Sequence, residues 1–158
     1  IVVVPVISAN EMYEVCKAII EATDIVILAA AVADYRPKSF SETKIKKKEA
    51  DLTLELIKTI DIAATLGKTK KPHQTFIGFA LETNNEESNA LQKLEKKNLD
   101  FIVLNSTQDA GAGFGHDTNK ITILRRDGSQ TKFPLKSKRA VAEDIVAEIC
   151  KTANPKQA

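Results

Sequence analysis

The sequence predicts an α/β domain with a three-layer, largely parallel, Rossmann-like sheet, helices on both faces and a C-terminal β-hairpin. Its 158 residues, 43% of them hydrophobic, suffice for one domain whose core needs neither disulfides nor a metal. Strand-like and helix-like patterns alternate along the chain. The run at 25–33 is apolar throughout, which is typical of a strand that a parallel sheet covers on both faces.

The first half of the chain carries clear start and stop signals. In order, it predicts a strand at 1–8, a helix after Ser8, a strand at 25–33, a polar loop at 34–50, a strand at 52–56 and a helix at 62–66. Pro5 places the first strand at an edge or an end. Ser8 and Glu11 form a capping box before an amphipathic stripe. Asp61 is a suitable N-cap for the second helix, which Gly67 would end.

The second half continues the alternation and then turns back on itself. It predicts a strand at 75–80, a helix at about 85–97, a strand at 101–104, a glycine-rich loop at 105–119, a hairpin at 121–124 and 132–135, and a helix at 139–152. Asn98 is well placed as a C-terminal cap, and Asp127-Gly128 is a hairpin turn signal. The last helix is expected to bury Ala140, Val141, Ile145, Val146 and Ile149.

Composition excludes several classes of protein. The 23 basic and 21 acidic residues give a net charge of only +2, and aromatic residues make up 5% with no Trp, which argues against a general nucleic-acid binder. Cys16 and Cys150 stand far apart in helical stretches, so we expect buried free thiols in a reducing, cytoplasmic compartment. No apolar run reaches the length of about 18 residues that a membrane span needs.

Charged residues cluster where strands are predicted to end, and ligands of open α/β sheets bind there. Asp34 ends the most apolar strand, although it can equally cap a turn or pair with Arg36. The lysine-rich run at 44–48 can be a solvated surface or can face a polyphosphate. Because the chain has no G-x-x-x-x-G-K-[ST] motif, any triphosphate is handled without a P-loop.

Two lysines on the third predicted helix form a second cluster of charge. Lys93 and Lys97 lie four residues apart, and no acid stands three or four residues ahead of either. Like charges at this spacing destabilise a helix slightly. A cation in the last turn of a helix interacts favourably with the helix dipole, which accounts for the position of Lys97 better than for that of Lys93. A ligand anion across this face would therefore account for the pair. Near it, Phe79 could pack against a base. His73 and His116 lack nearby ligating partners in the sequence, so neither indicates a metal site.

Five motifs occur in order along the chain. They are AAAVADYR at 29–36, KIKK beginning ten residues after Asp34, GFALETN at 78–84, KNLDFIVLN at 97–105 and FGHDTN at 114–119. Together they resemble phosphopantothenoylcysteine synthetase of the bacterial, CTP-dependent type. The resemblance runs from about Met12 over nearly the whole chain.

This resemblance implies a cytoplasmic ligase of coenzyme A biosynthesis. The carboxylate of 4′-phosphopantothenate would attack the α-phosphate of CTP, releasing pyrophosphate, and the amine of cysteine would then displace CMP. The resemblance also implies Mg²⁺ bound with CTP, a homodimer and no flavin in this domain. Bacterial synthetases of this kind are often fused behind a flavin-dependent decarboxylase, and the sequence leaves open whether the native chain is. Neither nucleic acid nor a membrane would be a partner.

The resemblance also implies the site residues. It gives Lys44 the catalytic role of stabilising charge at the α-phosphate. It implies no metal-binding residue, and it places at nucleotide-binding positions Ala30, Asp34, Lys44, Ile60, Asp61, Ile62, Ala63, Phe79, Lys93 and Lys97. The chain departs from the pattern in two loops, with Thr59-Ile60-Asp61 in place of Asn-Pro-Asp and His116 in place of Ser. We expect residues 1–158 to be a single synthetase domain whose first strand, glycine-rich loop and an Asn precede Ile1.

Two other functions remain open on the residues alone. A nucleotide-dependent oxidoreductase or nucleotide-sensing module of similar fold would carry G-x-G-x-x-G upstream of Ile1. A nucleic-acid module would use the run at 44–48 and bind duplexes in a salt-sensitive way. The sequence does not distinguish CTP from ATP or show the cysteine site.

Overall fold

A central sheet organises the part of the chain that the computed structural model describes, which is residues 1–46, 52–106 and 115–153. Within these residues the sheet has five strands, in the spatial order β1 (Ile25–Leu28), β4 (Thr75–Glu82), β5 (Phe101–Ser106), β7 (Ile121–Arg125) and β8 (Gln130–Lys132). β1, β4 and β5 are parallel, and β7 and β8 add the antiparallel hairpin. Two short antiparallel pairs lie outside this sheet, β2 (Tyr35–Pro37) with β3 (Leu56–Lys58) and β6 (Thr118–Asn119) with β9 (Lys136–Ser137).

Helices cover both faces of the sheet. They are α1 (Ala9–Ile19), followed by a 3₁₀ turn (Ile20–Ala22), α2 (Ile62–Lys68), α3 (Glu86–Lys96) and α4 (Lys138–Ala153). Successive residues of β4 point to opposite faces. Phe76 joins a core with α2 and α3, with α1 against it, whereas Ile77 joins a core with α4. The predicted α/β class, with its largely parallel sheet, two helical layers and hairpin, is confirmed.

Several of the sequence signals for helix and turn ends are confirmed. The Ser8 hydroxyl accepts a hydrogen bond from the Glu11 N–H at 3.2 Å, and the Glu11 carboxylate accepts one from the Ile7 N–H at 2.9 Å. Asn98 adopts a left-handed conformation with φ of 53° after α3, and Gly128 adopts φ of 80° in the hairpin turn. These positive angles suit an asparagine after a helix and a glycine in a tight turn.

Several predicted strands differ in the structure. Residues 1–6 form no strand, because no described strand lies beside them to complete a ladder. β1 is shorter than predicted and lies at the sheet edge, so Ile25 and Ile27 are 43% and 49% exposed. The expectation that this run is covered on both faces is therefore wrong for the described chain. β3 begins at Leu56, four residues after the predicted start at Leu52.

Three side chains are more exposed than the sequence predicts. Val146 is 54% exposed because α4 buries the stripe of Val141, Ile145 and Ile149 instead. Cys150 is exposed and Cys16 only half-buried, so the prediction of two buried thiols is wrong. No helix among the described residues is long and apolar enough to cross a membrane.

A partly buried ion pair joins the hairpin to α4. The Arg125 guanidinium donates to the Glu148 carboxylate at 2.5 Å and to the Thr131 hydroxyl at 3.1 Å. The Glu148 side chain is only 8% exposed. The hydrogen bond from Arg125 outweighs desolvation and lowers the pKa of Glu148 below its ordinary value. This carboxylate therefore stabilises the fold above the pKa of the unfolded chain and stops doing so as the pH falls through the lower folded pKa.

Glu148→Gln should lower the free energy of unfolding by about 2 kcal/mol at pH 7, since Arg125 loses its partly buried counter-charge. The difference from wild type should shrink below about pH 4, where the wild-type carboxylate becomes protonated. Urea unfolding at pH 7 and at pH 3 measures both effects. Glu143→Gln is the control, because Glu143 pairs with Arg139 at 3.6 Å on the exposed side of α4. An equal loss at both pH values would contradict the role of the charge.

Candidate functional site

A cavity of about 330 Å³ lies where β1 ends, beside the middle of β4, the N-terminus of α2 and one face of α3. Nine of the ten predicted nucleotide-binding residues line it, namely Ala30, Asp34, Ile60, Asp61, Ile62, Ala63, Phe79, Lys93 and Lys97. They come from four separate segments of the chain. The structure thus brings the predicted set together, and the role of these residues in binding stays a prediction.

The tenth residue, Lys44, lies apart from the others. It is exposed and is not among the residues that line the cavity. It belongs to a segment at 35–58, here called the arm, which contains β2 and β3. The neighbouring Lys47 and Lys48 lie outside the described residues. The structure therefore does not place the lysine-rich run against the cavity.

The root of the arm lies at the cavity. The Thr59 hydroxyl donates to the Ala33 carbonyl, and the Thr59 N–H donates to the Asp34 carbonyl at 2.9 Å. These two hydrogen bonds join Ala33 and Asp34, just before the arm, to Thr59, just after it. Further out, the Lys38 ammonium pairs with the Glu55 carboxylate at 2.6 Å across the arm. Lys44 is thus carried on a segment that is anchored beside the cavity.

Asp61 has two partners at the N-terminus of α2. Its Oδ1 atom accepts the Ala64 N–H at 3.1 Å, which caps the helix as predicted, and the Lys97 ammonium at 3.1 Å. Burial acts to raise the pKa of the Asp61 carboxyl, but the Ala64 hydrogen bond and Lys97 outweigh it. The pKa therefore lies below its ordinary value, and Asp61 is ionised at neutral pH.

Lys93 also has an acidic partner from another element. Its ammonium contacts the Glu82 carboxylate, at the end of β4, at 2.6 Å. The like charges on α3 are therefore offset by Glu82 and Asp61, which the pattern along the helix did not reveal. The motif at 78–84 placed Glu82 at a strand end, but its pairing with Lys93 depends on how α3 packs over β4.

Close packing of α2 on the end of α3 fixes the position of Lys97. A Cβ atom on Gly67 would lie 2.1 Å from the Lys97 carbonyl oxygen, so only glycine fits here. The Asn98 side chain donates to the Gly67 carbonyl at 2.7 Å. Gly67 was predicted to end α2, but it lies within the helix, which continues to Lys68. Its function is close approach rather than termination.

Apolar side chains that the sequence reasoning did not select form the remaining wall of the cavity. They are Met12 and Cys16 from α1, with Leu99 and Ile102 near β5. The helical stripe marked Met12 and Cys16 as apolar positions, and Ile102 belongs to a predicted apolar strand, but nothing in these patterns shows which residues border a cavity. Phe79, selected as a base-packing residue, also packs against the core on the α4 side of the sheet.

A second cavity, of about 480 Å³, adjoins the first and shares part of its wall. It lies between the segment at 6–10, the residues at 30–33 and the root of the arm. Arg36 and Lys58 line it and bring two positive charges to its edge. The two cavities therefore offer adjacent spaces, each bordered by cations.

Comparisons with known proteins decide the family. A family model described as the DNA/pantothenate metabolism flavoprotein C-terminal domain matches residues 1–153. The chain belongs to this family.

The relatives of this flavoprotein C-terminal domain carry two different names. A cysteine/cysteine sulfinic acid decarboxylase of an unknown prokaryotic organism is 52% identical over 147 residues, which are 93% of this chain and 41% of the relative. The coenzyme A biosynthesis bifunctional protein CoaBC of Bacillus subtilis is 47% identical over 146 residues, 92% of this chain and 36% of the relative. The chain thus spans about two fifths of the length of these relatives.

A solved structure extends the comparison to the fold. The crystal structure of the C-terminal domain of CoaBC has a TM-score of 0.78 and 39% identity, and the match covers 97% of this chain and 68% of that one. The flavoprotein C-terminal domain described here is therefore homologous to the C-terminal domain of a bifunctional protein of coenzyme A biosynthesis.

The family named from the sequence motifs was wrong. The motifs resemble a phosphopantothenoylcysteine synthetase, but the matching family model is that of the flavoprotein C-terminal domain. A relative named as a decarboxylase is 52% identical to this chain, against 47% for the CoaBC protein. A DNA/pantothenate metabolism flavoprotein from Streptococcus pneumoniae shares the fold, with a TM-score of 0.73 at 18% identity. That residues preceding Ile1 complete the domain stays a prediction.

The remaining features singled out in the sequence are the glycine-rich loop and the two histidines. Most of the glycine-rich loop, including Phe114, lies outside the described residues, and His116 and His73 are exposed. Among residues 1–46, 52–106 and 115–153, no three His, Cys, Asp or Glu side chains converge to hold a metal ion.

Gly67→Ala should reduce the free energy of unfolding by about 1–3 kcal/mol, because the added methyl group overlaps the Lys97 carbonyl. Helix propensity alone predicts the opposite, a gain of about 1 kcal/mol. Urea denaturation distinguishes the two. Lys68→Ala, on the exposed side of the same helix, is the control and should change stability by less than about 0.5 kcal/mol. A stabilised Gly67→Ala variant would show that α2 and α3 are not in close contact.

Proposed function

We propose that this domain is a ligase that joins 4′-phosphopantothenate to cysteine, using CTP and passing through an acyl-cytidylate. The single observation that carries the proposal is the convergence of nine residues, which the resemblance implied from four segments of the chain, on one cavity with an apolar wall and two ammonium groups. The homology to the C-terminal domain of CoaBC supports the coenzyme A context.

The cavity suits a nucleotide with a polyphosphate tail. Apolar side chains from α1 and β5 provide a water-poor space for the nucleoside, as in most small-molecule sites. Lys93 and Lys97 provide positive charge along the adjoining face of α3. A bound triphosphate would share these cations with Glu82 and Asp61, which hold them in the described structure.

The proposed reaction has two steps. In the first, a carboxylate oxygen of 4′-phosphopantothenate forms a bond to the α-phosphorus of CTP as the bond to pyrophosphate breaks. In the second, the amine of cysteine attacks the acyl carbon and CMP leaves, giving the amide. Lys44, carried on the arm, would stabilise charge on the α-phosphate oxygens in the first step.

The second cavity offers room for the acyl substrate. It adjoins the first cavity at Ala30 and Ile60, so a carboxylate held there would lie next to the nucleotide. Arg36 and Lys58 would attract the phosphate of 4′-phosphopantothenate. Mg²⁺ would arrive with CTP and take most of its ligands from the phosphates, in keeping with its preference for phosphate and water oxygens.

Full-length protein should release pyrophosphate from CTP only when 4′-phosphopantothenate is present, and ATP should replace CTP poorly. Lys44→Gln should lower this rate by about 100-fold, the usual cost of losing one group that stabilises transition-state charge. Lys38→Gln is the control, because Lys38 lies on the same arm and pairs with Glu55. Pyrophosphate release is followed with a coupled phosphate assay, and EDTA should abolish it until Mg²⁺ is restored.

Three results would contradict the proposal. One is full activity of Lys44→Gln, which would remove the role given to that residue. The second is pyrophosphate release that does not depend on 4′-phosphopantothenate. The third is release of CO₂ from free cysteine without nucleotide consumption, which would favour the activity named for the 52%-identical relative.

The arm also supports a proposal about assembly, namely that the domain is a homodimer. Large apolar side chains along it are unusually exposed, including Phe40 at 86%, Leu52 at 73% and Leu54 at 59%. Exposed apolar groups in this number mark an interaction surface. A second copy of the chain is the proposed partner, and the site would be completed at that contact.

Leu54→Asp should therefore shift the protein from dimer to monomer, because a desolvated charge in the contact is costly. Sedimentation velocity at micromolar concentration measures the change. Thr53→Asp adds the same charge at the neighbouring exposed residue and should leave the dimer intact. A wild-type protein that sediments as a monomer would refute the homodimer.

A further inference from the structure

Glu82 is an acidic residue beside a cavity proposed to bind a polyanion. It lies at the carboxyl end of β4, and its side chain is 12% exposed, against 43% for Lys93. Its carboxylate accepts the Lys93 ammonium at 2.6 Å and the Asn89 side-chain amide at 3.3 Å. Asn89 in turn donates to the Asn84 carbonyl at 2.9 Å, which ties α3 to the end of β4.

A carboxylate beside the cavity repels phosphate groups, so its presence there needs an explanation in terms of another side chain. Removal of a carboxylate from water is costly, so a largely buried one needs good partners. One partner of opposite charge among the described residues is Lys93, whose side chain is long, flexible and half exposed. Glu82 is less exposed than Lys93 and is hydrogen-bonded on a second side, so it is the more firmly held of the two.

We propose that Glu82 is a positioning residue that holds the Lys93 ammonium at the wall of the nucleotide cavity. This inference rests on the proposed function, because it gives Lys93 a role at the triphosphate. A lysine held by a glutamate from another element is an established way to fix a cation beside phosphates, as in the Lys–Glu ion pair of protein kinases. Here the glutamate comes from a strand end and the lysine from the helix that follows.

Glu82 should affect the attraction of CTP and the stabilisation of the transition state differently, and KM and kcat report these two effects. Charge attraction falls off slowly with distance, so an untethered Lys93 still attracts CTP, and loss of the Glu82 charge adds to that attraction. Stabilisation of the transition state instead requires the ammonium to lie at a defined place, to within about 0.5 Å. Loss of Glu82 should therefore lower kcat while leaving KM for CTP unchanged or lower.

The test is a double-mutant cycle in the full-length protein, with pyrophosphate release from CTP as the measurement. Glu82→Gln should lower kcat by about 10-fold, which is less than the roughly 100-fold cost of losing a stabilising group outright, because Lys93 is displaced rather than removed. In a Lys93→Gln background the same change should alter kcat by less than about 2-fold, because its effect passes through Lys93. Glu87→Gln should keep the wild-type kcat, since Glu87 pairs with Lys132 at 3.3 Å on the exposed side of α3.

A second measurement tests the positioning without any turnover. A short pulse of acetic anhydride followed by mass spectrometry compares the acetylation of Lys93 with that of Lys96, an exposed lysine on the same helix. Glu82→Gln should raise the ratio of Lys93 to Lys96 labelling by about 3-fold or more, because the Lys93 amine loses its largely buried partner. An unchanged ratio would overturn the inference even if the protein does not consume CTP.

The outcomes separate the inference from the proposed function. If Lys93→Gln lowers kcat and Glu82→Gln does not, the inference fails and the ligase proposal stands. The inference also fails if Glu82→Gln is equally harmful in the Lys93→Gln background, or if it raises kcat/KM. If Lys93→Gln itself has no effect on CTP consumption, the nucleotide role of Lys93 fails and the inference with it.

Discussion

The contact between α2 and the end of α3 determines where the charges of the cavity lie. Gly67 allows the Lys97 carbonyl to approach the α2 backbone, and Asn98, in its left-handed conformation, closes the contact from the other side. Because the N-terminus of the same short helix carries Asp61, this packing brings Asp61 to Lys97. A larger residue at position 67 would separate the helices and with them the cation from its partner.

The cavity is close to electrical balance on its α3 side. Each of the two lysines has a carboxylate from a different element, at 2.6 Å for Glu82 and 3.1 Å for Asp61. Such pairs keep flexible ammonium groups in place without leaving two like charges unopposed on one helix face. Under the proposed function, a polyanion that enters would compete with both carboxylates, which would favour ligands of high charge density over singly charged ones.

Much of the fold could be predicted because local signals agreed with the final packing. The capping box at Ser8, the N-cap at Asp61 and the turn at Gly128 act over a few residues and appear as predicted. The apolar run at 25–33 led to a wrong prediction of burial on both faces, because hydropathy does not show whether a strand lies inside a sheet or at its edge. Val146 was misplaced for a related reason, since α4 has more apolar positions than the sheet covers.

The site was predicted unevenly, and the reason is again distance along the chain. The residues at 60–63 were implied by the resemblance to a family, and the lysines of α3 were also indicated by an unexplained charge pattern along the helix. The ion pairs that these lysines form were not predicted, because the Lys93–Glu82 pair spans 11 residues and the Lys97–Asp61 pair spans 36. Lys44 does not line the cavity, and its proposed catalytic role would depend on how the arm contacts the proposed second copy of the chain. The family itself needed comparison with other chains, because the chain is similar to proteins with different names.

The paired hydrogen bonds at the root of the arm separate two parts of the molecule that can change independently in evolution. Thr59 joins the outgoing and returning chain at Ala33 and Asp34, so the cavity wall is closed before the arm begins. The entropy cost of a longer loop grows only slowly with its length. Insertions or substitutions between β2 and β3 can therefore alter what the arm contacts, and leave the lysines and carboxylates of the cavity where they are.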